Sequence, residues 1–189
     1  MAAEKKYIWM SKVADMAEML SVLRTDHYLV TSRIKGELKT IPTDIVYTMD
    51  IDGDWYLRSL SISAVASSEL LLSLQKDEHG QWHHGDRTLS TEFDCCFDVD
   101  LSLTPFTNSL PMNRLKLTTG SMREISVIYI HWPDLTLKPL RQRYTNMGND
   151  LYKYENLESG YSALLSVDKE GMVIDYPGVW KRVYPVGRE

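Results

Sequence analysis

Cysteine is nearly absent from this chain of 189 residues: there are two, Cys95 and Cys96, and they are neighbours. A bond between adjacent cysteines strains the backbone, and in an extended segment their side chains point to opposite faces, so no disulfide framework holds this protein. No second cysteine pair stands ready to complete a zinc site. Glycine (10) and proline (7) are sparse and scattered, which excludes collagen-like and low-complexity chains. No apolar run is long enough to span a bilayer, and the opening MAAEKKYIWMSK has no signal-peptide core behind its lysines, so the expected location is cytoplasmic. Positive charge is short too: 21 Lys and Arg stand against 26 Asp and Glu, a net charge of −5, with no basic stripe to follow a nucleic-acid backbone. The Gly-x-Ser-x-Gly elbow, the P-loop, Gly-x-Gly-x-x-Gly and His-Glu-x-x-His are all missing, and nothing implies a cofactor. These absences lower the odds of an enzyme without excluding one built on carboxylates and tyrosines, which leave no short signature.

What is present reads as one β-rich domain. Hydrophobic residues at 43% and charged residues at 25% are ordinary for a globular chain, and 11 Tyr with 5 Trp favour strands. Ile45, Tyr47, Met49 and Ile51 alternate before Asp52-Gly53-Asp54, after which Trp55 to Arg58 resumes the pattern, a hairpin signal. Turn clusters at 76 to 80, 146 to 150 and 168 to 171 repeat it, and together they predict an antiparallel meander. Two stretches stand out. Met10, Val13, Ala14, Ala17 and Leu20 fall at helical spacing, although Glu18 to Leu23 also fits a short strand. The segment 107 to 115 predicts a helix with Pro111 in its first turn and Thr107 or Asn108 as its cap.

From Phe93 to Thr104 the alternation is strict: Phe93, Cys95, Phe97, Val99, Leu101 and Leu103 share one face, and Asp94, Cys96, Asp98, Asp100, Ser102 and Thr104 the other. One face is expected to pack on a core, and the other to be wet, paired or functional. Three readings of Asp98 and Asp100 compete. They lie on a solvated face; or they form a catalytic carboxylate pair, although two groups projecting in parallel from one strand do not flank a scissile bond; or they join an internal network with Arg58, Arg114 or Arg143 and with Thr107 or Asn108. His79, His83, His84 and Asp86 could in principle bind metal, but their Gly-punctuated setting fits a hairpin tip better. Tyr144, Tyr152, Tyr154, Tyr161, Tyr176 and Tyr184 crowd the last third. Rings with hydroxyls suit either ordinary packing or a cavity for an amphipathic ligand.

The blocks DVDLSLTPFTNSLPMNRLKL, QRYTN, Tyr152 to Glu155 and VDKEGMVIDYPGVWKRV resemble the bacterial putative glycolipid-binding family, formerly a family of unknown function, and weaker likeness reaches back to Trp9. The resemblance implies a mainly β spiral β-roll: a long antiparallel sheet wrapped around a single α-helix, similar to lipoprotein carriers, and a homodimer. It implies that residues 10 to 24 are extended despite their helical spacing, and that the helix lies at 107 to 115. No catalytic residue comes with it. The positions carried over are Asp98, Asp100, Thr104, Thr107, Asn108, Arg114, Gln142, Arg143, Tyr144, Tyr176 and Pro177; Arg58 and Tyr154 complete the candidate ligand-binding set. The leading expectation is a non-catalytic carrier or sensor of a glycolipid or fatty-acyl ligand. An enzyme acting through Asp98 and Asp100, or a dimeric interaction module without a small ligand, are the alternatives.

Overall fold

The computed structural model describes residues 3–185. Its strands are β1 (Ala3–Ser11), β2 (Asp15–Arg24), β3 (Tyr28–Leu38), β4 (Ile41–Ile51), β5 (Leu57–Ala64), β6 (Leu70–Lys76), β7 (Trp82–His84), β8 (Arg87–Thr88), β9 (Cys96–Leu101), β10 (Met122–His131), β11 (Thr136–Gly148), β12 (Leu151–Asn156), β13 (Ser162–Val167), β14 (Val173–Tyr176) and β15 (Trp180–Tyr184). They form one sheet in the order β8 to β1, then β15 down to β9. Antiparallel β1–β15 pairing joins the two halves. The expected meander holds everywhere except at its end, where β9 pairs with β10 in parallel. A parallel partner cannot be reached by a tight turn. The intervening chain includes a 3₁₀ turn (Phe106–Asn108) running into α1 (Ser109–Leu115), the one α-helix among the described residues.

The two ends of this sheet come back together, which makes it a roll. Trp82 Nε1 donates to the carbonyl of Cys96 at 2.8 Å, linking β7 to β9, and Trp132 Nε1 reaches Thr43 Oγ1 at 3.2 Å, linking the end of β10 to β4. One large core fills the space between, with Trp9, Trp82, Tyr47, Ile62 and Leu74 fully buried. A second, smaller core of Met112, Tyr144, Tyr154, Leu165, Val167 and Val173 packs α1 against β11 to β14.

Residues 15 to 24 are a strand, as the resemblance implies and against local propensity. Met16, Glu18, Leu20 and Val22 face inward in alternation, and β1 and β3 satisfy the backbone on both sides. Opposite Met16, Gly36 adopts φ 144, where a Cβ would lie 2.0 Å from the carbonyl oxygen of Asp15. Only glycine permits that approach.

Two expectations fail around β9. The face of Phe93 to Leu103 assigned to the core does not stay there: Cys95 and Phe97 are exposed, while Asp98 on the supposedly wet face is completely buried. The physical reason is the parallel pairing inside the roll. Val99 and Leu101 belong to the large core, and Asp98 and Asp100 turn toward α1 and β11, so from Asp98 to Leu101 β9 is covered on both sides. The cap of α1 is the other correction. Asn108 makes no side-chain capping bond, because the preceding 3₁₀ turn already delivers helical geometry and its amide is used elsewhere.

Candidate functional site

Strand β9 delivers its two aspartates to different partners. Asp98 is bound bidentately by Arg114 from α1, with Nε at 3.2 Å from Oδ1 and Nη2 at 2.5 Å from Oδ2. Burial pushes the Asp98 carboxyl up and the guanidinium pulls it back; Arg114 itself is held charged by the same pair and lies 5.3 Å from the centre of the Tyr56 ring. This pair fixes the helix to the sheet.

Asp100 has no such cation. Gln142 Nε2 donates to Oδ2 at 2.6 Å and Thr107 Oγ1 to Oδ1 at 3.4 Å. Burial, only partly offset by these neutral donors, raises its carboxyl to about 6. Behind it the network continues: Tyr144 OH donates to Asn108 Oδ1 at 2.9 Å, and Gln142 also reaches Tyr154 OH at 3.3 Å. In front of it lies a cavity of about 240 Å³ lined by Asp100, Asn108, Tyr129, Tyr154, Tyr161, Tyr176 and Trp180. Tyr154, Tyr161 and Tyr176 form a triangle with centroids 6.3 to 6.4 Å apart. Burial holds the Tyr154 and Tyr176 hydroxyls well above the ordinary phenol range, so both remain protonated donors.

Thr104, on the rim of the same cavity, leads to a carboxylate that sequence reasoning missed. Glu18 is fully buried on the inward face of β2, and it accepts from Thr104 Oγ1 at 2.6 Å, Tyr47 OH at 2.5 Å and Ser32 Oγ at 2.9 Å. Three hydroxyls replace a counter-cation, and burial raises the carboxyl to about 7. The only signal was its place on the Met16, Leu20, Val22 face.

Of the ten candidate residues, Asp100, Asn108, Tyr154 and Tyr176 line the cavity, with Thr107 and Tyr144 directly behind. Asp98 and Arg114 form a neighbouring structural pair. Arg58 and Arg143 are not at the site. Arg58 binds Asp52 at 2.6 Å within its own hairpin, and Arg143 lies on the opposite face of β11 from Gln142 and Tyr144, paired with Glu124 at 2.6 Å. Strand parity decides the latter case. Tyr184, from the tyrosine-rich segment, is exposed on β15. His83 binds Asp77 at 2.8 Å across the β6–β7 turn, and the described residues contain no cluster able to hold a metal.

The architecture is that of a single-sheet β-roll closed, among the described residues, over one short helix, with an aromatic cavity beside a half-buried carboxylate that has no cation partner. Comparison places it: residues 6–182 match the family described as "Putative glycolipid-binding", and the chain belongs to that family. A crystal structure of a DUF1089 family protein from Pseudomonas aeruginosa is similar throughout, with 35% identity, a TM-score of 0.76, and coverage of 88% of this chain and 92% of that one. No functionally curated protein matches. No helix among the described residues is long and apolar enough to cross a membrane.

Proposed function

We propose that this protein binds a sugar-bearing amphiphile, a glycolipid or sugar–acyl conjugate, as a non-catalytic carrier or sensor, with the sugar in the Asp100–Tyr154–Tyr176 cavity. The observation that carries this is Asp100 itself: a carboxylate met only by neutral donors, facing an aromatic chamber. Sugars present hydroxyl groups to carboxylates and amides and C–H faces to rings, and this cavity supplies both. At about 240 Å³ it is smaller than the ~300–1,000 Å³ of drug-sized sites. One sugar ring is the natural occupant, with any acyl chain leaving through the mouth.

Catalysis is not favoured. Glycoside hydrolysis needs two carboxyl groups flanking the bond, and Asp98 is engaged by Arg114 and absent from the cavity wall. The interior space also weighs against a ligand-free interaction module. The reading keeps the cytoplasmic location and the homodimer expected from the sequence. Solvent extraction of the purified protein followed by mass spectrometry tests it: a hexose-containing amphiphile is expected from the wild type and not from Asp100→Asn. Recovery of no lipid, with no thermal shift from any alkyl glycoside, would overturn it.

A further inference from the structure

A second cavity, of about 500 Å³, lies at the opposite end of the roll. Strand β12 shows the separation: Tyr152 near its start lines this cavity, whereas Tyr154 and Asn156 line the sugar chamber. The small core of Met112, Leu165 and Val173 fills the space between.

Charge distinguishes this end. Its charged lining residues are Arg24, Lys116, Lys169, Asp150 and Asp168. Lys169 pairs with Asp150 at 2.7 Å, and Asp168 is taken by Arg182 at 2.5 Å. Among the described residues Arg24 and Lys116 have no carboxylate partner, so the mouth carries two uncompensated positive charges on a chain whose net charge is −5. The same cavity wall carries an aromatic pair: Trp55 and Tyr28 have centroids 4.6 Å apart, and the Arg24 guanidinium lies 5.4 Å from the Tyr28 ring centre. Trp55 holds this position at φ 68, a left-handed conformation that a bulky side chain adopts only where its surroundings enforce it. The same two rings, with Arg24 and Asn113, also line an adjoining, mainly apolar pocket of about 310 Å³ that adds Tyr7, Val22 and Met172, together with Glu170, whose carboxylate is taken by Lys5 and the Tyr7 hydroxyl. Cations beside an aromatic ledge that opens onto an apolar hollow are complementary to an anion carried on an apolar body.

We propose that this end of the roll is a second binding site, for a phosphate ester of an apolar or aromatic group: phosphate between Arg24 and Lys116, organic body on Trp55 and Tyr28. It stands independently of the sugar chamber. The phosphate ester could belong to a phospholipid or to a small soluble metabolite, and calorimetry on the full chain at low salt separates these sources. Phenyl phosphate and dihexanoylphosphatidic acid are titrated beside inorganic phosphate. Binding of the lipid alone assigns the site to a headgroup, and binding of phenyl phosphate alone assigns it to a soluble ester; both support the site. Arg24→Gln and Lys116→Gln, both at exposed positions, are each expected to weaken binding by roughly tenfold or more. Asp100→Asn is expected to leave it unchanged. Binding of neither ester, or wild-type affinity in both Gln variants, would refute the proposal.

Discussion

Thr104 Oγ1 donates to Glu18 Oε2 at 2.6 Å, joining the loop after β9 to strand β2 across 86 residues. The bond makes one buried carboxylate the anchor for the rim of the Asp100 cavity. A glutamate that folding pushes to about 7 from its ordinary 4.5 binds more protons in the folded than in the unfolded chain between those pH values. Stability therefore falls as pH rises through that window, by on the order of 3 kcal/mol from this group, and levels off above pH 7. Asp100, raised to about 6 from 3.8, acts in the same direction over its own window. Tm is expected to be higher at pH 5 than at pH 8, and Glu18→Gln should flatten the difference. A Tm that climbs from pH 5 to pH 8 in the wild type would contradict this.

The Asp98–Arg114 pair is structural, and its members are not equivalent to a surface ion pair. Asp98→Ala leaves a buried guanidinium without its carboxylate and is expected to cost about 3–5 kcal/mol. Replacing both partners by apolar residues of similar volume should recover most of that loss. Chemical denaturation of the single and double variants checks the point; equal destabilisation in both would argue against it.

The adjacent cysteines have opposite fates. Cys95 is exposed, whereas Cys96 is buried and burial pushes its thiol up to about 12. Only the thiolate reacts, so a disulfide reagent at pH 8 should titrate one thiol in the native protein and two after denaturation. Two fast equivalents from the folded chain would show that β9 is not enclosed as described.

Gly36→Ala tests the tight approach of β3 to β2. The new Cβ would collide with the Asp15 carbonyl, and φ 144 is strained for any L side chain. The variant is expected to fold poorly or to lose several degrees of Tm, a larger loss than that of Gly85→Ala, where φ 58 is strained for alanine but nothing lies within 4 Å. Comparable behaviour of the two would place the strain elsewhere.

The strands were legible because period-2 alternation and turn clusters are local signals: Ile45 to Ile51, the Asp52-Gly53-Asp54 hairpin and the turn at 168 to 171 appear where the residues predict. The helix was legible from Pro111 and its neighbours, but not the task of Asn108, whose partner Tyr144 lies 36 residues away. Helical spacing at 10 to 24 misled because pairing with two neighbouring strands outweighs intrinsic propensity. Asp98 and Asp100 were visible as candidates, yet alternation could not tell that β9 is covered on both faces from Asp98 onward. Glu18 was invisible for a related reason. A carboxylate in a polar-apolar sequence reads as solvent-facing, and its three hydroxyl donors come from 14, 29 and 86 residues away. The charged end cavity gathers turns from both halves of the sheet, an arrangement that only the closed roll creates.

The most direct measurement is a calorimetric titration of octyl glucoside, below its micelle concentration, into wild type, Asp100→Asn and Tyr176→Ala. The account predicts saturable one-to-one binding to the wild type, at least tenfold weaker in both variants, with octanol giving no comparable heat. Equal binding by all three proteins, or octanol binding as well as the glucoside, would contradict a sugar site at Asp100.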